Sequence, residues 1–194
     1  MEMEVHYIQK LDVVRRQIKE AVRLFFEQRD AIVIHTVVAS AHQILFDLGE
    51  SKGIASAIKS TATLKSHEIQ SYLRSINYPY NFFKHADRDS EDKINIGPLE
   101  SFTQAFIMDA IVMLQRLCGS LPIEAKVYWF WFVSKYPEDF HDCPADGEVK
   151  KMQAEGLSNW DFSTICQFLN LCELVEGTKN STGSCPGNPE ADSR

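Results

Sequence analysis

Apolar residues recur along most of this chain at steps of three and four, the spacing that lines one face of a helix. Ile8, Leu11, Val14, Ile18, Val22 and Phe25 form the first such stripe, with Arg15, Arg16, Lys19 and Glu20 opposite, so a long amphipathic helix is predicted over residues 4–27. Asp30 reads as the N-cap of a second helix that runs to about Leu48 and stops at Gly49. Its polar arc is narrow, limited to Thr36, Ser40, Gln43 and Asp47, which predicts a central, heavily buried helix. His35 and His42 lie on its wide apolar arc beside Val38 and Phe46.

Residues 50–65 are rich in Ser, Lys, Ala and Thr, and read as a loop around the pair Ile54 and Ile58. Ser66 reads as the cap of a helix through Arg74, and Asn77 and Pro79 as the restart of a separate short helix over NFFKHA. Pro98 opens the next long helix and Gly119 closes it, with Leu99, Phe102, Phe106, Ala110, Met113 and Leu117 inward and Asp109 at the stripe's edge, one helical repeat from Arg116. Pro122 starts a helix whose centre, Tyr128 to Phe132, is apolar all round. After a loop over residues 137–148 and a short helix over 148–156, Ser158 caps a final helix with Phe162, Ile165, Phe168, Leu169 and Cys172 inward. Composition alone would also allow a strand over Tyr128 to Phe132, but the helix start signal fits and no partner strand appears, so the expected fold is all-α: a single-domain bundle of five to seven helices over residues 1–176, followed by a disordered tail over 177–194.

Bulk properties narrow the function classes. A length of 194 residues suits one domain with a sizeable core. No apolar run approaches the length needed to span a bilayer, and the acidic start MEMEVHYIQK lacks the pattern of a signal peptide, so a cytoplasmic protein without membrane contact is expected. A net charge of −7 disfavours broad nucleic-acid binding. Five cysteines without a C-x-x-C pair argue for reduced thiols, with Cys118, Cys166 and Cys172 acting as small apolar residues.

The densest candidate chemistry is YPYNFFKHADRDSED, residues 78–92. On a helix Asn81 and His85 share a face with Lys84 beside them, an arrangement that suits acid–base or phosphate chemistry with His85 as the proton-transfer group. The competing reading is a short helix anchored by Phe82 and Phe83 that ends at His85. Burial of the two phenylalanines against the second helix would bring this trio to a pocket shared with His35 and His42. His35, His42 and Asp109 are the candidate ligand-binding set, although a buried, hydrogen-bonded histidine is the more frequent situation. Asp87, Asp89 and Glu91 begin like a calcium loop, but Asp92 replaces the required Gly and Pro98 the closing Glu. His85, Asp87 and His35 are the candidates for a transition-metal site. No cofactor is specified. The aromatic block suggests either a homodimer formed through Trp129 and Trp131 or, equally, plain core.

Two resemblances arise from these segments. LFFEQRDAIVIHTVVASAHQIL together with PYNFFKHADRD resembles a family of uncharacterised bacterial all-helical proteins with an IHT…A…IL helix and an NFFKHAD segment; it spans about residues 20–115 and implies no reaction. Asn81 and His85 also resemble the polar residue and histidine of HEPN-type helical nucleases, which implies metal-independent RNA cleavage, but Tyr80 stands where their arginine is expected. Arg29, Asp30 and His35 offer a looser match at a helix start. The leading reading is a ligand- or partner-binding helical module; the alternatives are a HEPN-like endoribonuclease and a metal-binding bundle.

Overall fold

The computed structural model describes residues 6–87, 90–137 and 159–181, the last six of these by backbone only. Among them are six helices and no strand: α1 Lys10–Phe26, α2 Ala31–Glu50, α3 Ser66–Lys84, α4 Leu99–Cys118, α5 Ile123–Lys135 and α6 Phe162–Ser181. The expected all-α bundle is the observed one. The predicted loop over 138–148, the short helix over 148–156, Ser158 and residues 182–194 lie outside the described residues.

α2 is the central element and packs most extensively against α4 and α1. Val38, Ala41 and Leu45 of α2 are fully buried, as are Ile107, Ala110, Ile111, Met113 and Leu114 of α4 and Val14, Ile18 and Val22 of α1. α5 and α6 close the other side of α1. There Phe25 and Phe26 meet Tyr128, Trp131 and Phe162 in edge-on or tilted ring contacts, with centroids 5.0–6.0 Å apart. The aromatic block of α5 is therefore largely core: Tyr128 is buried and donates its hydroxyl to Gln104 O at 3.1 Å, and Trp131 joins the ring cluster. Arg23 on α1 ties both late helices, bonding Glu124 of α5 at 3.0 and 3.1 Å and Asn170 and the Leu169 carbonyl of α6.

Several boundaries differ from the sequence expectation. α1 begins at Lys10 rather than near residue 4; Tyr7 and Ile8 are exposed, so burial of these two side chains does not extend the helix. The α1–α2 turn closes with Arg29 N–H on Leu24 O and Gln28 N–H on Phe25 O, and places Gln28 at φ 55°, where glycine is the usual residue. Asp30 caps α2 as expected, accepting from Ile32 N at 2.8 Å. α3 is one helix, not two. Pro79 sits inside it, and Tyr80 on the core and Phe83 on His35 give the last turn its packing despite the missing N–H. Its N-cap is Lys65, whose N–H is held by the Glu68 carboxylate at 3.1 Å. Asp161 caps α6 through Thr164 N at 2.7 Å, and the helix backbone continues past Gly177 to Ser181. Gly119 ends α4 at φ 69°, as its position foretold.

α2 also corrects the membrane argument. An 18-residue stretch of this 20-residue helix has a mean hydropathy of 1.5, so the helix is long and apolar enough to cross a bilayer by length and composition. Thr36, Ser40 and Gln43 interrupt the run and hide it from a search for unbroken apolar stretches. In this fold α2 lies between α1 and α4.

Gly49 does not stop α2; it lies inside it. A Cβ there would meet the Ile54 carbonyl at 2.6 Å, so the residue lets the following loop fold back onto the helix. Helix propensity alone predicts that Gly49→Ala gains about 1 kcal/mol. The close approach to backbone predicts the opposite sign, a loss of about 1–3 kcal/mol in urea unfolding.

Candidate functional site

The loop between α2 and α3 brings its polar residues under the surface. Ser56 and Lys59 are buried, and between them and the bundle lie His42 of α2 and Asp109 of α4. The Asp109 carboxylate is the centre. Its Oδ2 accepts from His42 Nε2 at 2.8 Å and from Ser56 Oγ at 2.5 Å, and its Oδ1 accepts from Ala57 N at 2.9 Å. Ser56 Oγ in turn accepts the Lys59 N–H at 3.0 Å. Burial raises the Asp109 pKa, but the bonds from His42, Ser56 and Ala57 outweigh it and leave the carboxyl below its ordinary value. Burial pushes the His42 imidazole below its ordinary value, against the pull of Asp109. The consistent state is an ionised carboxylate and a neutral His42 carrying its proton on Nε2, which leaves Nδ1 as a bare acceptor.

A serine, a histidine and an aspartate in contact invite a nucleophilic reading, and the geometry opposes it. In a working triad the imidazole stands between carboxylate and hydroxyl and removes the hydroxyl proton. Here Ser56 and His42 converge on the same carboxylate oxygen, and the Ser56 proton already points at Asp109. The hydroxyl is spent as a bridge. All three side chains are closed to solvent, and the cluster fastens the loop to α2 and α4.

Lys59 completes the cluster. Its ammonium donates to Gln43 Oε1 at 2.8 Å and lies 4.9 Å from the centre of the Phe46 ring. Burial lowers its pKa, opposed by the charges of Asp47 and Asp109. Its outer side lines a shallow, open concavity of about 430 Å³ with Phe46, Glu50, Ser60 and Thr61.

His35 lies two helical turns before His42 on α2. It is fully buried, stacked on Phe102 with ring centres 5.6 Å apart and edge-on to Phe106 and Phe83. Thr103 Oγ1 gives its own proton to Leu99 O at 2.7 Å, so His35 Nδ1–H is the donor in the 3.2 Å bond between them. Burial, with a smaller contribution from His42, lowers its pKa to about 4.

The sequence-selected residues therefore divide. Asp109 and His42 come together, and Asp109 bonds His42, Ser56 and Ala57 in place of the suggested Arg116, which is exposed. Phe83 reaches His35, as burial against α2 requires, yet Asn81, Lys84 and His85 stay on the surface. His85 is the residue at which α3 ends, its N–H on Asn81 O at 3.0 Å, and the Lys84 ammonium lies 4.6 Å from the Tyr80 ring centre. His85 and Asp87 are exposed while His35 is internal, so these three metal candidates do not converge. Among the described residues no three His, Cys, Asp or Glu side chains are placed to hold a metal. Asp89 lies outside the described residues. Arg29 is exposed and Asp30 is engaged as a helix cap, which separates both from buried His35.

A second cavity was not foreseen. Between α5 and α6 lies an apolar pocket of about 490 Å³, walled by Phe130, Trp131, Trp160, Ile165 and Phe168. Among the described residues Lys126, Ser134 and Lys135 are its polar lining, with no carboxylate. The Ser134 hydroxyl is closed to solvent and has no hydrogen-bond partner among the described residues. Sequence offered one signal: Ile123, Val127, Phe130, Trp131 and Ser134 recur at helical spacing along a segment otherwise read as uniformly apolar.

Two predictions follow from the buried polar groups. Asp109→Asn leaves donors facing a side chain that accepts fewer bonds, and should cost about 3 kcal/mol in urea unfolding at pH 7. The fall of His35 from 6.5 to about 4 means that the unfolded chain takes a proton the folded chain refuses, which removes about 3 kcal/mol as pH drops from 7 to 4. His42, also lowered, acts in the same direction. A His35→Leu variant should show a shallower loss over that range, measured by the same unfolding series.

No family model, curated protein or solved structure matches the chain.

Proposed function

We propose that this chain is a small-ligand-binding helical protein whose ligand enters the pocket between α5 and α6. The observation that carries the reading is the pocket's character: about 490 Å³, walled by two tryptophans and two phenylalanines, with a buried Ser134 hydroxyl left without a partner among the described residues. Sites for small organic molecules span about 300–1,000 Å³ and combine apolar walls with a few fixed polar groups. The concavity beside Lys59 is more open to solvent, and the polar groups beneath it already bond one another. A hydrolytic or nucleolytic reading has less support: Ser56 is engaged by Asp109, and His85 stands on the surface at the end of α3.

The pocket carries its own reporters. Trp131 and Trp160 line it and Trp129 does not. Titration with small apolar alcohols and acids should move the indole N–H resonances of Trp131 and Trp160 and leave that of Trp129 in place. Val127→Trp, which adds an indole to the pocket wall, should abolish the response while circular dichroism remains helical. Equal shifts at all three indoles, or none at any, would contradict the assignment.

A further inference from the structure

We infer that the ligand of the α5–α6 pocket is an amphipathic monoanion, an apolar chain ending in a carboxylate, and that Lys126 receives its head group. The inference rests on the ligand-binding reading above and adds the ligand's chemical class.

Charge selects the class. The chain carries a net charge of −7, yet among the described residues the charged side chains lining this pocket are two lysines, with no carboxylate. The local sign is thus opposite to that of the whole. A site walled by Phe130, Trp131, Trp160, Ile165 and Phe168 takes an apolar body, and an ammonium at its rim favours an anionic end. A neutral amphiphile is the better match for the walls alone, because a carboxylate loses more hydration on entering an apolar site. A preference for the anion must therefore come from the lysines.

The two lysines are not equivalent. The Lys135 ammonium lies 4.7 Å from the Trp131 ring centre and 5.2 Å from that of Tyr136, so it is already held on two aromatic faces. Lys126 has no ion pair or ring contact among the described residues and is exposed. It stands nine residues before Lys135 on α5, about 13 Å along the axis, and on the opposite flank of the lining stripe. A carboxylate at Lys126 lets the chain run along the groove toward Trp131 and Ser134. Lys135 then serves mainly as part of the wall.

The experiment compares octanoate, 1-octanol and octylamine on the full chain by the Trp131 and Trp160 resonances, at low and high salt. Octanoate is expected to bind tighter than octanol by up to about fivefold, the scale of one partly exposed ion pair, with the margin shrinking in high salt. Lys126→Gln should erase that margin, and Lys135→Gln should retain most of it. Octanol equal to octanoate, octylamine the tightest, or an unchanged margin in Lys126→Gln would overturn the anion assignment while leaving the pocket in place. Silence of both indoles toward all three compounds would overturn the pocket itself. Circular dichroism and unfolding midpoints of both variants separate lost recognition from lost fold.

Discussion

The buried carboxylate of Asp109 is the constraint on which the centre of this bundle depends. A charged group enclosed between helices is strongly unfavourable unless donors surround it. Here α2 supplies an imidazole, and the following loop supplies a hydroxyl and a backbone N–H. Those needs set the path of the loop. It must return to α4, and it does so over Gly49, where a side chain would strike the Ile54 carbonyl. Packing of Leu45, Ile107, Ile111 and Met113 supplies the apolar stabilisation, and the polar cluster fixes the position of the chain between α2 and α3. Ordinary packing alone would leave that segment, rich in Ser, Ala and Thr, with several equivalent paths.

This division of labour separates structure from candidate function. The groups with the most suggestive chemistry are engaged in the interior and hold the fold: His42 and Ser56 bond Asp109, and His35 bonds Thr103. The unspent capacity lies elsewhere, on the face formed by α5 and α6. There the aromatic side chains do two jobs. One side of α5 packs Tyr128 into the ring cluster around Phe25 and Phe26, and the side bearing Phe130, Trp131 and Ser134 lines a cavity. Arg23 holds α6 beside α5 through Glu124, Asn170 and the Leu169 carbonyl, so the cavity walls are braced by polar contacts away from its interior.

The helices were legible because their signals are local. Asp30, Pro98, Gly119 and Pro122 act within one turn of themselves, and the buried stripe of α1 follows from spacing alone. The continuous α3 was not legible, because Pro79 is a breaker by local rules and the aromatic packing beyond it is tertiary. The turn at Gln28 lacks the glycine that usually marks such a conformation. His42 and Asp109 were each visible as polar residues on apolar helices, although their contact was not. Ser56 and Lys59 gave no signal at all: a serine and a lysine in a polar loop look exposed, and only the demand of a distant carboxylate buries them. The α5–α6 pocket escaped for a related reason. An apolar, aromatic run reads as core whether or not the space beside it is filled.

The claim that Asp109 holds the loop can be read directly from amide hydrogen exchange. Ala57 N–H is bonded to the carboxylate and Lys59 N–H to Ser56, while the amide of Gly53, in an exposed turn, has only a long 3.4 Å bond to the Glu50 carbonyl. Exchange at Ala57 and Lys59 should approach the rate set by global unfolding, as for the core of α2, with Gly53 orders of magnitude faster. Exchange of Ala57 and Lys59 at the rate of an open loop would contradict the account, since the carboxylate would then be holding nothing that the helices do not hold without it.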